Sequence, residues 1–281
     1  MAKRKITLPR LALHAFIGLW ALTEIFLFAW MAYSSFKTTP EIYRSIWSLP
    51  TSLDPINYIQ DISGAAPVLI PFGDFLRNSS VIAFVSVAGT ILISVPAGYV
   101  ISKRSRLTDL LFYVFLVMIA VPPAAEIIPV YYLLRDLGLY ATYVGIILIY
   151  ITFNIPFSVV LARAFFKSFP PELEEAAKVD GLGEMGTFVR IVVPLSLVIV
   201  IILAIVIFPN VWNELLYAQV MLPTDNVRTI QPGLLLLNSQ FKINWGNLFA
   251  GMVMSSLPMF VFYVIFQRYI VKAVVVGAVK G

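Results

Sequence analysis

The chain has 281 residues, 60% of them hydrophobic and 12% charged, with a net charge of +5 and a mean hydropathy of +0.90. Soluble domains carry about 25% charged residues, so the polar surface of a water-soluble globule is missing and the bilayer is the indicated solvent. The lack of cysteine excludes disulfide and thiolate chemistry, and a single histidine, His14, excludes a histidine metal cluster.

Six apolar runs approach or exceed the ~20 helical residues that cross a hydrocarbon core: 11–34, 78–101, 109–132, 141–163, 190–209 and 247–267. The first follows Lys3, Arg4, Lys5 and Arg10, has no small-residue cleavage site and outruns a signal peptide, which predicts a retained anchor. It holds Glu24, a lone carboxylate that must face protein or water. His14 reads as interfacial or structural. Segment 35–77 contains SLPTSLDPINYIQ, surface structure with proline-set turns. Asn78-Ser79-Ser80 fits a glycosylation sequon at the membrane edge. The cluster SKRSR, Ser102–Arg106, reads as a topology signal after the second run.

In the third run, Pro122–Pro123 sets a helix break beside Glu126. That carboxylate either lines a pathway or accepts hydrogen bonds within the bundle. In the fourth, NIPF places Asn154 just ahead of the kinking Pro156. PNVWNELLY ends the fifth run with Trp212, Asn213 and Glu214. Aromatic, amide and carboxylate groups suit sugar binding, although Trp and Tyr also favour membrane interfaces for general reasons. With Glu126 and Asn154 these three are the candidate translocation-pathway residues. Segment 210–246 carries the turn-rich LPTDNVRTIQPG, then LLLLNSQ, a short buried or re-entrant helix.

The basic residues fix the expected orientation. Fourteen fall in 1–10, 102–108, 163–190 and 267–281, and six in 35–77, 132–140 and 210–246. The positive-inside rule then predicts six spans with both termini cytoplasmic, and basic residues that flank spans give no argument for nucleic acid.

One polar stretch interrupts the apolar pattern. FPPELEEAAKVDG, Phe169–Gly181, opens with two prolines, places Glu172, Glu174 and Glu175 in the first turns and closes on Gly181. Negative charge is favoured at a helix N-terminus and glycine at its end. Leu173, Ala176 and Ala177 share one small apolar face. A helix of this kind either docks on another protein or covers the ends of its own bundle. The following GLGEMG has dinucleotide-loop spacing but succeeds a helix rather than a strand, and the chain has no G-x-x-x-x-G-K-[ST] motif.

EAAKVDG…F…I…P (Glu175, Ala176, Ala177, Asp180, Gly181, Phe188, Ile191, Pro194) resembles the EAA signature of permeases from binding-protein-dependent ABC importers. Ile128–Ala177, VWNELLYAQVML, TIQPGL and FQRYIVKAVVVGAVKG are similar to the carbohydrate-uptake subgroup, in particular the smaller maltose-permease-like partner, and the resemblance spans about residues 10–281. Subgroup members often carry a second proline where this chain has Val198.

The resemblance implies an all-α type I importer permease (MetI-like) fold of six transmembrane helices in a single domain, with external regions 35–77 and 210–246 and a cytoplasmic coupling loop 168–189. Glu175, Ala176, Ala177, Asp180 and Gly181 would form the docking element for a cytoplasmic ATPase, and Phe188, Ile191 and Pro194 would anchor the loop. The implied partners are a second permease subunit, two copies of the ATPase, an external solute-binding protein and a sugar such as maltose or trehalose. ATP and Mg would be used by the ATPase subunits; this chain would bind no cofactor and would not itself be an enzyme. The alternatives are a different solute, such as glycerol phosphate, an ion-driven secondary transporter, or a membrane-embedded enzyme. Against the last two, the chain lacks an obvious nucleophile or metal set, and Glu24 and Glu126 are weak material for a midplane ion-coupling pair.

Overall fold

A computed structural model describes residues 8–64, 71–103, 105–239 and 243–279. Lys3, Arg4, Lys5, Arg104, Lys242 and Lys280, which enter the orientation argument, lie outside this range. All regular elements among the described residues are helical: α1 (Leu8–Ser34), α2 (Thr39–Arg44), α3 (Ile56–Ser63), α4 (Phe72–Ser102), α5 (Arg106–Ala120), α6 (Ile127–Asp136), α7 (Tyr143–Phe166), α8 (Glu172–Val179), α9 (Glu184–Thr187), α10 (Val193–Leu195), α11 (Leu197–Trp212), α12 (Leu216–Met221), α13 (Ile230–Ser239) and α14 (Trp245–Val279).

Four helices, α1, α4, α7 and α14, are long and apolar enough to cross a bilayer, and two bent pairs would raise the number to six if each is one span. The third apolar run is therefore not one straight helix. After α5, Val121 and Pro122 take extended backbone, a 3₁₀ turn covers Pro123–Glu126, and α6 leaves at 85°. A residue preceding proline is pushed out of the helical region, and Pro122–Pro123 imposes this twice. The second pair, Glu184–Leu195 and Leu197–Trp212, bends by 61°. Here Pro194 cannot donate to the helix ladder. A π-helical turn over Phe188–Val192 absorbs the mismatch, and Ser196 Oγ donates to the Val192 carbonyl at 2.6 Å at the bend. α4 begins five residues before the end of the expected loop at 77, its first turn carrying an Asp74–Arg77 pair.

The chain divides into two compact units. The first comprises residues up to Gly73 together with Gly233–Leu257. Its polar centre joins segments far apart in sequence. Asn57 Nδ2 donates to the carbonyls of Ser35 and Lys37 at 2.8 and 3.0 Å. Asn247 Nδ2 donates to the Asn57 carbonyl at 3.1 Å and to Asp61 Oδ1 at 2.8 Å. Gly246 permits this approach, since a Cβ there would overlap the Lys37 carbonyl and the Asn57 amide. Above it, Trp30 packs edge-on against Phe249, with centroids 5.1 Å apart.

Asp61 is fully buried, and burial pushes its carboxyl from 3.8 up to about 7. The folded state thus holds a proton that the unfolded chain releases. Stability from this site is complete below the unfolded value and declines as pH rises from about 4 to about 7. Thermal unfolding of the detergent-extracted chain should give a midpoint that falls over this interval, and Asp61→Asn should flatten the profile. An unchanged slope in the variant would remove Asp61 as its cause.

The second unit comprises Asp74–Pro232 and Pro258–Gly281. α4 meets α7 where Gly98 faces Ala162; a Cβ at Gly98 would overlap the Ala162 Cβ and reach the Arg163 backbone nitrogen at 3.0 Å. Arg163, buried on α7, staples three pieces together. Its Nε donates to the Ile101 carbonyl at 3.1 Å, its Nη2 pairs with Asp109 at 3.0 Å, and its guanidinium lies 3.7 Å from the Phe112 ring centroid. At the other end, buried Asn78 donates to the carbonyls of Asn226 and Arg228 and accepts from Tyr143 Oη at 2.6 Å. The sequon asparagine is thus consumed by structure, with no free amide for a glycan. Phe208 stacks on Phe262 at 4.4 Å.

The outer surface is apolar. α1 is exposed along nearly its whole length, with Trp20, Leu19 and Phe16 each more than 60% accessible, and Leu107, Tyr113, Val117 and Phe260 are similarly open. Such a surface requires lipid or other membrane helices around it. Glu24 and His14 lie on α1 with exposed side chains.

Candidate functional site

α8 forms for local reasons. Pro171 precedes it, Glu172, Glu174 and Glu175 occupy its first turn and Lys178 its last, all complementary to the helix dipole. It stops at Asp180 because Gly181 turns left-handed, φ +78°. The Gly181 amide donates to the Lys178 carbonyl at 3.0 Å and the Leu182 amide to the Ala177 carbonyl at 2.9 Å, the paired bonds of a Schellman end.

The helix splits the residues of the signature. Ala177 is buried, whereas Glu175, Ala176, Lys178 and Asp180 are exposed and Val179 is 87% accessible. The face shared by Leu173, Ala176 and Ala177 is therefore divided, with Leu173 half-buried. Ala177 is covered, while Ala176 and Glu175 stay open.

The seat is aromatic. Phe166 at the end of α7 packs against Phe165 and Phe169, with centroids 5.1–5.5 Å apart among the three. Tyr99 on the last turn of α4 sits edge-on to Phe166 at 5.5 Å and against Phe188 at 5.4 Å. A cavity of about 670 Å³ opens between α8 and the ends of α4 and α7, lined by Tyr99, Lys103, Phe166, Glu174, Thr187 and Ile191 among others. Phe188 and Ile191 thus border this seat, whereas Pro194 is exposed and serves the π turn instead.

A second polar cluster lies where α7, α12 and the turn before α6 meet. Glu214 Oε2 accepts from Tyr150 Oη at 2.7 Å and from the Ala218 amide at 3.0 Å, and its Oε1 accepts from the Tyr217 amide at 2.9 Å. Tyr217 Oη donates to the Pro123 carbonyl at 2.7 Å, and its ring meets Phe153 edge-on at 5.0 Å. Asn213 accepts from Gln231 Nε2 at 3.3 Å, and Asn154 Nδ2 donates to the Tyr150 carbonyl at 2.8 Å. Trp212 is buried and stacked on Phe208 at 5.7 Å. Glu126 and Glu214 both act electrostatically on Tyr217, so sequence-distant members of the predicted set do converge. Tyr150 and Tyr217, which organise the cluster, have no sequence signal beyond their aromatic type. Among the described residues no three of His, Asp or Glu lie close enough to hold a metal ion.

Four helices long and apolar enough to cross a bilayer, with large exposed apolar side chains, mark a multi-pass membrane protein. The sequence matches the family model of the binding-protein-dependent transport system inner membrane component over residues 89–276, and the chain belongs to that family. It is a non-catalytic permease subunit of an ABC transporter, placed in the inner or plasma membrane. Over 281 aligned residues it is 31% identical to the probable ABC transporter permease protein YurM of Bacillus subtilis, covering 99% of this chain and 91% of that one. It is 28% identical to the trehalose/maltose transport system permease protein MalG of Thermococcus litoralis, with 99% of each chain covered. A bacterial ABC transporter involved in import of the acidic polysaccharide alginate shares the fold, with a TM-score of 0.81 at 21% identity over 96% of this chain and 99% of that one.

Proposed function

We propose that this chain is the smaller permease subunit of an ATP-driven importer for a carbohydrate of the maltose or trehalose type. Both termini and α8 are cytoplasmic in this reading. A second permease completes the pathway, two ATPase copies act from inside and a solute-binding protein delivers the sugar from outside. The observation that carries the reading is α8 itself: Ala177 is buried and Leu173 half-buried, while Glu175, Ala176 and Val179 remain open. Glu175, Ala176, Ala177, Asp180 and Gly181 form the docking element. ATP and Mg belong to the ATPase, whose closure pushes α8 and switches the permease pair between two packing states.

Glu126, Asn154, Trp212, Asn213 and Glu214 line or support the pathway. Glu214 acts first as a support, because three donors already occupy it. The carbohydrate class is supported by a relative named for trehalose/maltose transport and by the fold shared with an alginate importer. Binding of a sugar panel to the matching external binding protein tests it. Affinity for an oligosaccharide supports the reading, and affinity confined to a non-sugar solute contradicts it.

A further inference from the structure

We infer that the coupling movement enters the bundle through α4 by way of one hydrogen bond, Tyr99 to Glu174, so that these two are positioning residues for transport. The inference rests on the coupling role proposed for α8.

Tyr99 Oη donates to Glu174 Oε1 at 2.8 Å, linking residues 75 positions apart. Glu174 is not part of the outward display: it is half-buried on the inner edge of α8, while its neighbour Glu175 is exposed. The tyrosine is held so that movement of its hydroxyl must move its helix. It is 6% exposed, gripped by Phe166 and Phe188, and Lys103 Nζ lies 4.9 Å from its ring centroid. One residue earlier, Gly98 brings α4 into backbone-close contact with α7 at Ala162. Two residues later the Ile101 carbonyl is fixed by Arg163. The end of α4 is therefore rigidly joined to α7. Along the chain, α8 joins the bundle through Lys167–Pro171 on one side and through α9 and the π turn on the other. The Tyr99–Glu174 bond adds a third attachment, and three attachments make a pushed helix carry the ends of α4 and α7 with it.

The substitutions isolate the bond. Tyr99→Phe keeps the ring and removes only the donor. Glu174→Ala removes the acceptor, and Glu174→Gln retains an acceptor oxygen. In proteoliposomes holding the assembled transporter, the readout is ATP hydrolysed per solute imported. Tyr99→Phe and Glu174→Ala should each raise this ratio by about tenfold, the scale of losing one hydrogen bond to a charged acceptor. The double variant should be no worse than the more severe single, because both remove the same interaction, and Glu174→Gln should stay near wild type. A wild-type ratio in Tyr99→Phe, or effects that multiply in the double variant, would overturn the inference. Gly181→Val serves as the comparator. If it uncouples and Tyr99→Phe does not, this inference fails alone; if neither does, the coupling role of α8 fails with it.

Discussion

Gly181→Val should leave the chain inserted in the membrane yet reduce ATP-driven uptake at least about tenfold, while ATP hydrolysis by the complex continues. A clash within this chain is excluded at the outset, since a Cβ at Gly181 would meet nothing within 4 Å. What the position demands is its backbone: φ is +78°, and the two carbonyl-capping bonds of α8 depend on that turn. A β-branched residue there costs roughly 1–3 kcal/mol, which the exposed end of a short helix relieves by unwinding. Ala176 and Asp180 are then displaced from the proposed docking geometry. The same logic orders a series. Gly181→Asn should be best tolerated, because Asn visits the left-handed region most readily after glycine, Gly181→Ala intermediate and Gly181→Val worst. The check is uptake and ATPase activity measured side by side. A series ranked by side-chain volume alone, with Ala better than Asn, would point to a contact with the partner instead of to the turn.

Gly98→Val should strongly destabilise the second unit. Its Cβ alone overlaps the Ala162 Cβ, and the α7 backbone stands just behind at Arg163. Neither helix can yield by a rotamer change, so α4 and α7 must separate. Overpacking of this kind costs about 1–3 kcal/mol. The separation also stretches the Arg163–Ile101 bond and shifts Tyr99 next door. A lowered thermal midpoint of the extracted chain is expected, with recovery of part of the loss when Ala162→Gly is added, because that change removes the overlapping atom. A midpoint unaffected by Gly98→Val would mean the helices do not approach as described.

Parts of the molecule were legible in the sequence. The apolar runs were, because hydrocarbon demands uninterrupted helix and composition records it. α8 and its end were also legible, since Glu172, Glu174, Glu175 and Gly181 obey local rules that need no tertiary partner. Pro122–Pro123 announced a break, but not its 85° turn, which depends on two successive extended residues followed by a 3₁₀ turn. Periodicity placed Ala176 and Ala177 together, whereas the fold covers Ala177 and leaves its neighbour Ala176 open. Long-range polar links left no trace in the pattern. Asn247 with Asp61, Tyr99 with Glu174 and Tyr150 with Glu214 join segments separated by 186, 75 and 64 residues, and each member alone reads as an ordinary polar or aromatic residue. The sequon at Asn78 likewise describes three residues and says nothing of the carbonyls that bury the amide.

The coupling role proposed for α8 turns on where its exposed side goes. The native chain contains no cysteine, so Ala176→Cys supplies a unique thiol. Treating the assembled transporter with a short thiol-to-amine crosslinker during ATP-driven uptake should join this position to the ATPase subunit, from the cytoplasmic face, with a yield that changes between nucleotide-free and ATP-bound states. Labelling of the thiol from the external face, or uptake with no ATPase ever captured at this position, would contradict it.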